Sequence, residues 1–185
     1  MKGMIFTELV DFMEATGGAV FADAVIARAA LPNDGAFTAV GNYPSGYAVA
    51  MVTAAAEITG ADANVLCEDY GHYLFTRLLD RFPQIVSRYT SANGLLSHVA
   101  SHIHEEVRVL YPDARPPVIT ATEDGETLRV RYESHRPFAH IAFGLIRGCM
   151  GHYGDGRELA WERSGSPYAA TFRIAPAAPA IADAA

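Results

Sequence analysis

A tyrosine, a serine and an arginine stand at alternate positions in YESHR, residues 132–136, and the segment SHVASHIHEE holds histidines at 98, 102 and 104. Two hydroxyls and a guanidinium at that spacing make a donor set for an anion. The arginine offers a planar fork to a carboxylate or phosphate, and the hydroxyls add neutral donors. Imidazoles ligate metals or move protons. Each set also has a plain structural reading: Ser134 serves equally as a helix N-cap, and Tyr132 as a core tyrosine.

The elements that carry these groups separate them. Residues 92–110 have helical periodicity. At about 100° per residue, Leu96, Val99, Ala100, Ile103, Val107 and Leu110 form one apolar stripe. His104 falls at its edge; by residue type alone, such a histidine is more often a satisfied core residue than a ligand. His98 and His102, four residues apart, face away beside Glu105 and Glu106. Such a pair can chelate zinc, but no third ligand stands out, and the face reads as a solvated one. YESHR closes an alternating strand, ETLRVRY, in which Leu128, Val130 and Tyr132 share one side and Arg129, Arg131 and Glu133 the other. Asp124-Gly125 between that strand and VITAT predicts a hairpin. A helix is expected over 137–152, opened by Pro137, whose first backbone N–H groups could serve the same anion.

Upstream, the pattern predicts helices over 2–16, stopped by Gly17-Gly18, and over 19–30, ended by PNDG. A third is capped by Ser45 and ends near Gly60, and a longer one, capped by Asp62, runs to Arg81. Two further strands, around RELAWER and YAATFRI, flank GSP. The tail over 175–185, APAAPAIADAA, is of low complexity and is expected to be disordered. Helices first, then a helix among antiparallel strands, is an α+β order.

The 185 residues fit one domain with a sizeable core, being 50% hydrophobic and 19% charged. A net charge of −7 argues against nucleic acid, and the lone lysine, Lys2, against a polybasic membrane patch. No apolar run approaches the roughly 18 residues of a spanning helix. Glu8, Asp11 and Glu14 interrupt the first apolar pattern, so it is an amphipathic helix rather than a signal peptide, and the expected location is the cytoplasm. Cys67 and Cys149 are too few for a disulfide framework or a four-thiolate zinc site and read as small buried residues.

Taken together, the motifs resemble the haem–nitric oxide/oxygen-binding (H-NOX) family, related to the haem domain of soluble guanylate cyclase. MKGMIF is similar to the family's opening. HEEVRVLYPDARPP is similar to the segment that begins with the axial haem histidine, and YESHR to the Tyr-x-Ser-x-Arg motif that holds the haem propionates. The likeness spans residues 1–174. It implies a helical distal subdomain over 1–60, a proximal subdomain with a roughly four-stranded antiparallel sheet over 61–174, and haem b buried between. It places the axial ligand on His104, the propionates on Tyr132, Ser134 and Arg136, and Pro117 against the porphyrin. The distal wall falls to Ile5, Leu74, Leu78, Ile141 and Leu145.

Oxygen-binding members carry a distal tyrosine where this chain has Ile141. Bound O2 carries partial negative charge that a donor stabilises, whereas NO, and more weakly CO, bind ferrous iron without one. Tyr73 and His140 neighbour the wall, each about 100° from a lining residue, and are expected not to reach the iron. The implied function is a non-catalytic sensor. NO weakens or breaks the His104–iron bond, and the signal passes in trans to a histidine kinase or to a diguanylate cyclase or phosphodiesterase. Two other classes compete. One is a haem-free module using the same three residues for another carboxylate. The other is a metal-dependent hydrolase on the His98/His102 face, with no nucleophile elbow, Walker loop or HExxH in its favour.

Overall fold

The computed structural model describes residues 1–177. Three helices come first: α1 (Gly3–Gly17), α2 (Ala19–Ala29) and α3 (Ser45–Thr59). They bury one face each, and Phe6, Leu9, Phe12, Met13, Val25, Met51 and Val52 meet in a first core. Gly60 ends α3 at φ 73°, a left-handed residue whose N–H reaches the Ala56 carbonyl at 2.8 Å. Ser45 is the first helical residue rather than the cap. Pro44 stands in the cap position, and its carbonyl accepts from the Tyr47 N–H at 3.1 Å.

Helix α4 (Ala63–Arg81) starts as its sequence predicts, with the Asp62 carboxylate accepting from the Asn64 N–H at 2.7 Å. Pro83 opens a single turn, α5 (Pro83–Val86). α4 lends Tyr70 and Leu74 to the first core and Phe75 to a second, so it belongs to both.

The stretch 92–110 is not one regular helix. It runs as α6 (Ala92–His98), a π turn (Val99–Ile103) and α7 (His104–Leu110), with the His104 N–H reaching back to the Val99 carbonyl. A π turn admits an extra residue and rotates the downstream residues relative to a regular helix. The apolar spacing at 99, 103 and 107 fits either winding, so periodicity alone does not disclose the turn.

Strands β1 (Val118–Asp124) and β2 (Thr127–Glu133) form the expected hairpin, with Gly125 at φ 59°. After α8 (Ala139–His152) come β3 (Glu158–Ser166) and β4 (Ala169–Ala175). The sheet is antiparallel in the order β1-β2-β4-β3. Leu128, Val130 and Tyr132 lie on its buried face, with Ile174, Phe172 and Ala170 opposite them on β4. That face packs on α6 and α8 through Leu95, Leu96, Ile146, Cys149 and Met150, each large apolar side chain contributing roughly 1.5–3 kcal/mol. On the other face Arg129 pairs with Glu162 at 2.9 Å and Asp124 at 3.1 Å.

The mixed architecture with a four-stranded antiparallel sheet agrees with the α+β reading. Ala175 is a buried strand residue, not the start of a loose tail; the remainder of the tail expectation, over 178–185, lies outside the described residues. No helix among the described residues is long and apolar enough to cross a membrane. Burial pushes the Cys67 thiol up to about 11 and that of Cys149 up to about 12, which keeps both protonated and weakly nucleophilic at neutral pH.

Candidate functional site

His104 opens α7 immediately after the π turn. Its Nδ1 is buried and has no hydrogen-bond partner. Burial and the nearby Arg108 charge push its pKa down to about 4, against a smaller opposing effect of the Pro117 carbonyl. A half-buried imidazole held neutral, with its Nδ1 enclosed and unpartnered, has the chemistry of a metal ligand. Pro117 approaches the same ring through its backbone, half-buried in the loop that leads into β1.

Tyr132, Ser134 and Arg136 come together at the end of β2. The strand stops at Glu133, and Ser134 is fixed instead by its N–H to the Tyr168 carbonyl at 2.8 Å. The Ser134 hydroxyl accepts from the Arg136 N–H at 3.1 Å, and the Tyr132 hydroxyl lies 3.5 Å from the Arg136 carbonyl. Burial raises the Tyr132 pKa, with Ser134 and Arg136 opposing, so the phenol keeps its proton and remains a donor. Helix α8 starts at Ala139, two residues later than expected. The N–H groups of Phe138 and Ala139 are taken by the carbonyls of Arg136 (2.9 Å) and Pro167 (3.1 Å). They are not free to serve an anion, which leaves that role to the side chains.

Arg136 has a neighbour that the sequence pattern did not single out. Its guanidinium donates to the Arg115 carbonyl at 2.9 Å, and its pKa is lowered by burial, with the Arg115 charge adding to the effect. Among the described residues neither arginine has a carboxylate within salt-bridge distance. Two guanidiniums with no carboxylate partner among the described residues, beside two hydroxyls, have the chemistry to hold a dianion or a pair of carboxylates. The signal available in sequence was an arginine directly preceding Pro116-Pro117.

The five residues assigned to the distal wall share one apolar cluster. Leu74 and Ile141 are buried in it, and Ile5, Leu78 and Leu145 pack against it. Tyr70, also absent from the sequence expectation, holds this wall: fully buried, it donates its hydroxyl to the Ile5 carbonyl at 2.6 Å. It lies one helical turn before Leu74, which was the available hint. The two polar neighbours point elsewhere. His140 Nδ1 sits 2.8 Å from Glu68 and its ring lies on Trp161 at 4.4 Å. Tyr73 stacks at a tilt on Phe12, 5.5 Å away. The His98/His102 pair lies apart from these groups, on the exposed side of α6 and the π turn.

A tetrapyrrole with two propionates fits this donor set: a neutral half-buried imidazole, a cluster of guanidinium and hydroxyl groups, and an apolar wall. The comparisons agree. A family model described as haem-NO-binding matches residues 2–159. The fold is similar to that of an Fe(II) unliganded H-NOX protein from K. algicida, at 27% identity and a TM-score of 0.88, covering 96% of this chain and 97% of that one. It is similar to an H-NOX from Shewanella woodyi, described as bound to IWP-051 in the Fe(II)CO state, at 29% identity and a TM-score of 0.81, covering 100% and 99%. An S. oneidensis H-NOX in the Fe(II)NO state shares the fold at 22% identity, a TM-score of 0.84 and coverage of 94% and 98%. Among curated proteins none matches. With its sheet, its histidine helix and its anion cluster in place, the chain belongs to the haem-NO-binding family of gas-sensor domains.

Proposed function

We propose that this chain is a nitric oxide sensor built on haem b, one domain over 1–174, that acts in the cytoplasm without catalysis of its own. The single observation that carries the reading is His104: a half-buried imidazole, held neutral, whose enclosed Nδ1 has no hydrogen-bond partner. Its ring would hold the haem iron. Arg136, Tyr132 and Ser134 would bind the propionates, joined by Arg115, and Pro117 would pack on the porphyrin. Ile5, Leu74, Leu78, Ile141 and Leu145 close the gas-binding face. When bound, haem would supply a ferrous iron able to take up a diatomic gas.

The chain's own residues set selectivity and output. The apolar wall offers no hydrogen bond to a polar ligand, which disfavours O2 and leaves NO and CO; the CO-bound S. woodyi relative supports the second. Tyr70 and the Glu8 pairs with Arg77 and Arg81, at 2.7 and 2.6 Å, keep α1 and α4 in register around that wall. On the other side His104 stands at the junction of a π turn and a helix, an irregularity frequent at functional sites. A histidine that is held or released there is a two-state element of the kind a switch requires. The partner acts in trans and is a histidine kinase or a cyclic-di-GMP enzyme.

Absorption spectra of the reduced protein under argon, with NO and in air test the reading. A Soret band that shifts with NO and not with air is expected. A His104→Gly variant should place the partner in its NO-bound output with no gas present. A variant that acts on the partner as the unliganded protein does overturns the switch, and a chain that refuses added haem overturns the sensor.

A further inference from the structure

His98 and His102 read from sequence as a solvated face, and their partners in the structure change that. The two rings lie 4.9 Å apart at 29°, nearly parallel. His98 Nδ1 is 2.8 Å from the Gly94 carbonyl oxygen. A carbonyl only accepts, so Nδ1 is the donor and Nε2 is the nitrogen left without a partner. His102 Nδ1 is 3.0 Å from the Tyr89 hydroxyl, which again leaves Nε2 as the nitrogen without a partner. Tyr89 is itself half-buried, packed against the second core, and its ring lies 5.6 Å from that of His98. Both imidazoles thus have one nitrogen oriented by a fixed partner and the other left over. That is how ligating histidines are held: the second nitrogen donates to a carbonyl or another polar group, setting tautomer and ring angle.

We propose that His98 and His102 form a surface site for a divalent transition-metal ion, of the class zinc, copper or nickel, through their two Nε2 atoms. Imidazole pairs suit these ions, and across the start of the π turn the two rings lie next to each other, 4.9 Å apart. Both residues are exposed and their rings stand side by side, so an ion held by both would complete its coordination with water. The neighbouring carboxylates are occupied: Glu105 by Arg108, and Glu106 by Arg88 at 2.7 Å. Among the described residues no third histidine, cysteine or carboxylate joins the pair. The ion would span the junction of α6 and the π turn, close before His104, and its binding does not depend on haem.

Calorimetric titration of the haem-loaded protein with Zn2+ tests the site, with Cu2+ electron paramagnetic resonance to count nitrogens. The wild type should take up one equivalent in the micromolar range. His98→Ala and His102→Ala, both at exposed positions, should each weaken binding by at least about tenfold, the scale that loss of even an outer partner costs a metal site. The copper spectrum should show two nitrogen ligands in the wild type and one in either variant. Unchanged affinity in both variants places the metal on other histidines and overturns the proposal, as does a wild type that binds no Zn2+ below millimolar concentration.

Discussion

Gly71 and Gly144 meet backbone to backbone where α4 crosses α8. A methyl group on Gly144 would come within 2.9 Å of the Gly71 Cα and well inside contact distance of the Glu68 carbonyl oxygen. This contact lets Leu74 and Leu78 of one helix lie in the same apolar cluster as Ile141 and Leu145 of the other. Gly144→Ala should force the helices apart, costing about 1–3 kcal/mol, the usual range for overpacking. Gly151, on the same helix, has open space where its methyl would go, so Gly151→Ala should be neutral or stabilising by up to ~1 kcal/mol. Urea midpoints of the two variants give the comparison. Equal effects would mean that the crossing is looser than the structure shows.

Glu8 is almost fully buried, yet both of its arginine partners are about two-fifths exposed, Arg77 at 39% and Arg81 at 40%. That asymmetry makes the direction of deletion matter. Replacing Glu8 with Gln leaves two guanidiniums that can hydrate, and should cost about 1–2 kcal/mol. Replacing both arginines with alanine strands a buried carboxylate and should cost more, about 3–5 kcal/mol. Denaturant unfolding at neutral pH decides between this order and its reverse, and the reverse would mean that Glu8 reaches water.

The low pKa of His104 makes haem-free stability depend on pH in one direction. The folded imidazole gains its proton only near 4, against an ordinary value of 6.5. Between those values the unfolded chain binds one more proton than the folded one, so stability falls as pH falls from 6.5 to 4 and is flat below. The loss is at most ~3 kcal/mol. His104→Leu removes the titrating group and should flatten this part of the curve. Urea midpoints of haem-free wild type and variant from pH 7 to 4 check it. Parallel curves would show that the ring is solvated.

Most of the helical order was legible because apolar spacing, Gly stops and the Asp62 cap each arise from local chemistry. The hairpin was legible for the same reason, through Asp124-Gly125. The π turn was not, since residues 99, 103 and 107 suit two windings. Glu8 looked like an ordinary polar residue of an amphipathic helix; its burial depends on Arg77 and Arg81, 69 and 73 residues later. Arg115 escaped notice because its charge matters only once the loop returns beside Arg136. Long-range pairing of charges is what single-sequence periodicity does not carry. The start of α8 moved from 137 to 139 because the Pro167 carbonyl, from the β3–β4 turn, takes the Ala139 N–H.

Ile141 is the position at which gas selectivity should turn. It lies in the first core beside Leu74, and neither Tyr73 nor His140 stands ready to replace it as a donor. His140 is engaged by Glu68 and Trp161, and Tyr73 lies against Phe12. Ile141→Tyr introduces a hydroxyl on the wall without altering the histidine side. The outer oxygen of bound O2 carries partial negative charge, so a donor there should stabilise it, and the variant should hold an oxy spectrum in air where the wild type does not. NO binding should survive, since it needs no donor. The added ring volume should cost about 1–3 kcal/mol of stability. His140→Phe is the matching control: it removes a donor that points at Glu68, so spectra with NO and in air should be those of the wild type. If His140→Phe changes the response to O2 while Ile141→Tyr does not, the gas-binding face of α8 is the one that carries His140.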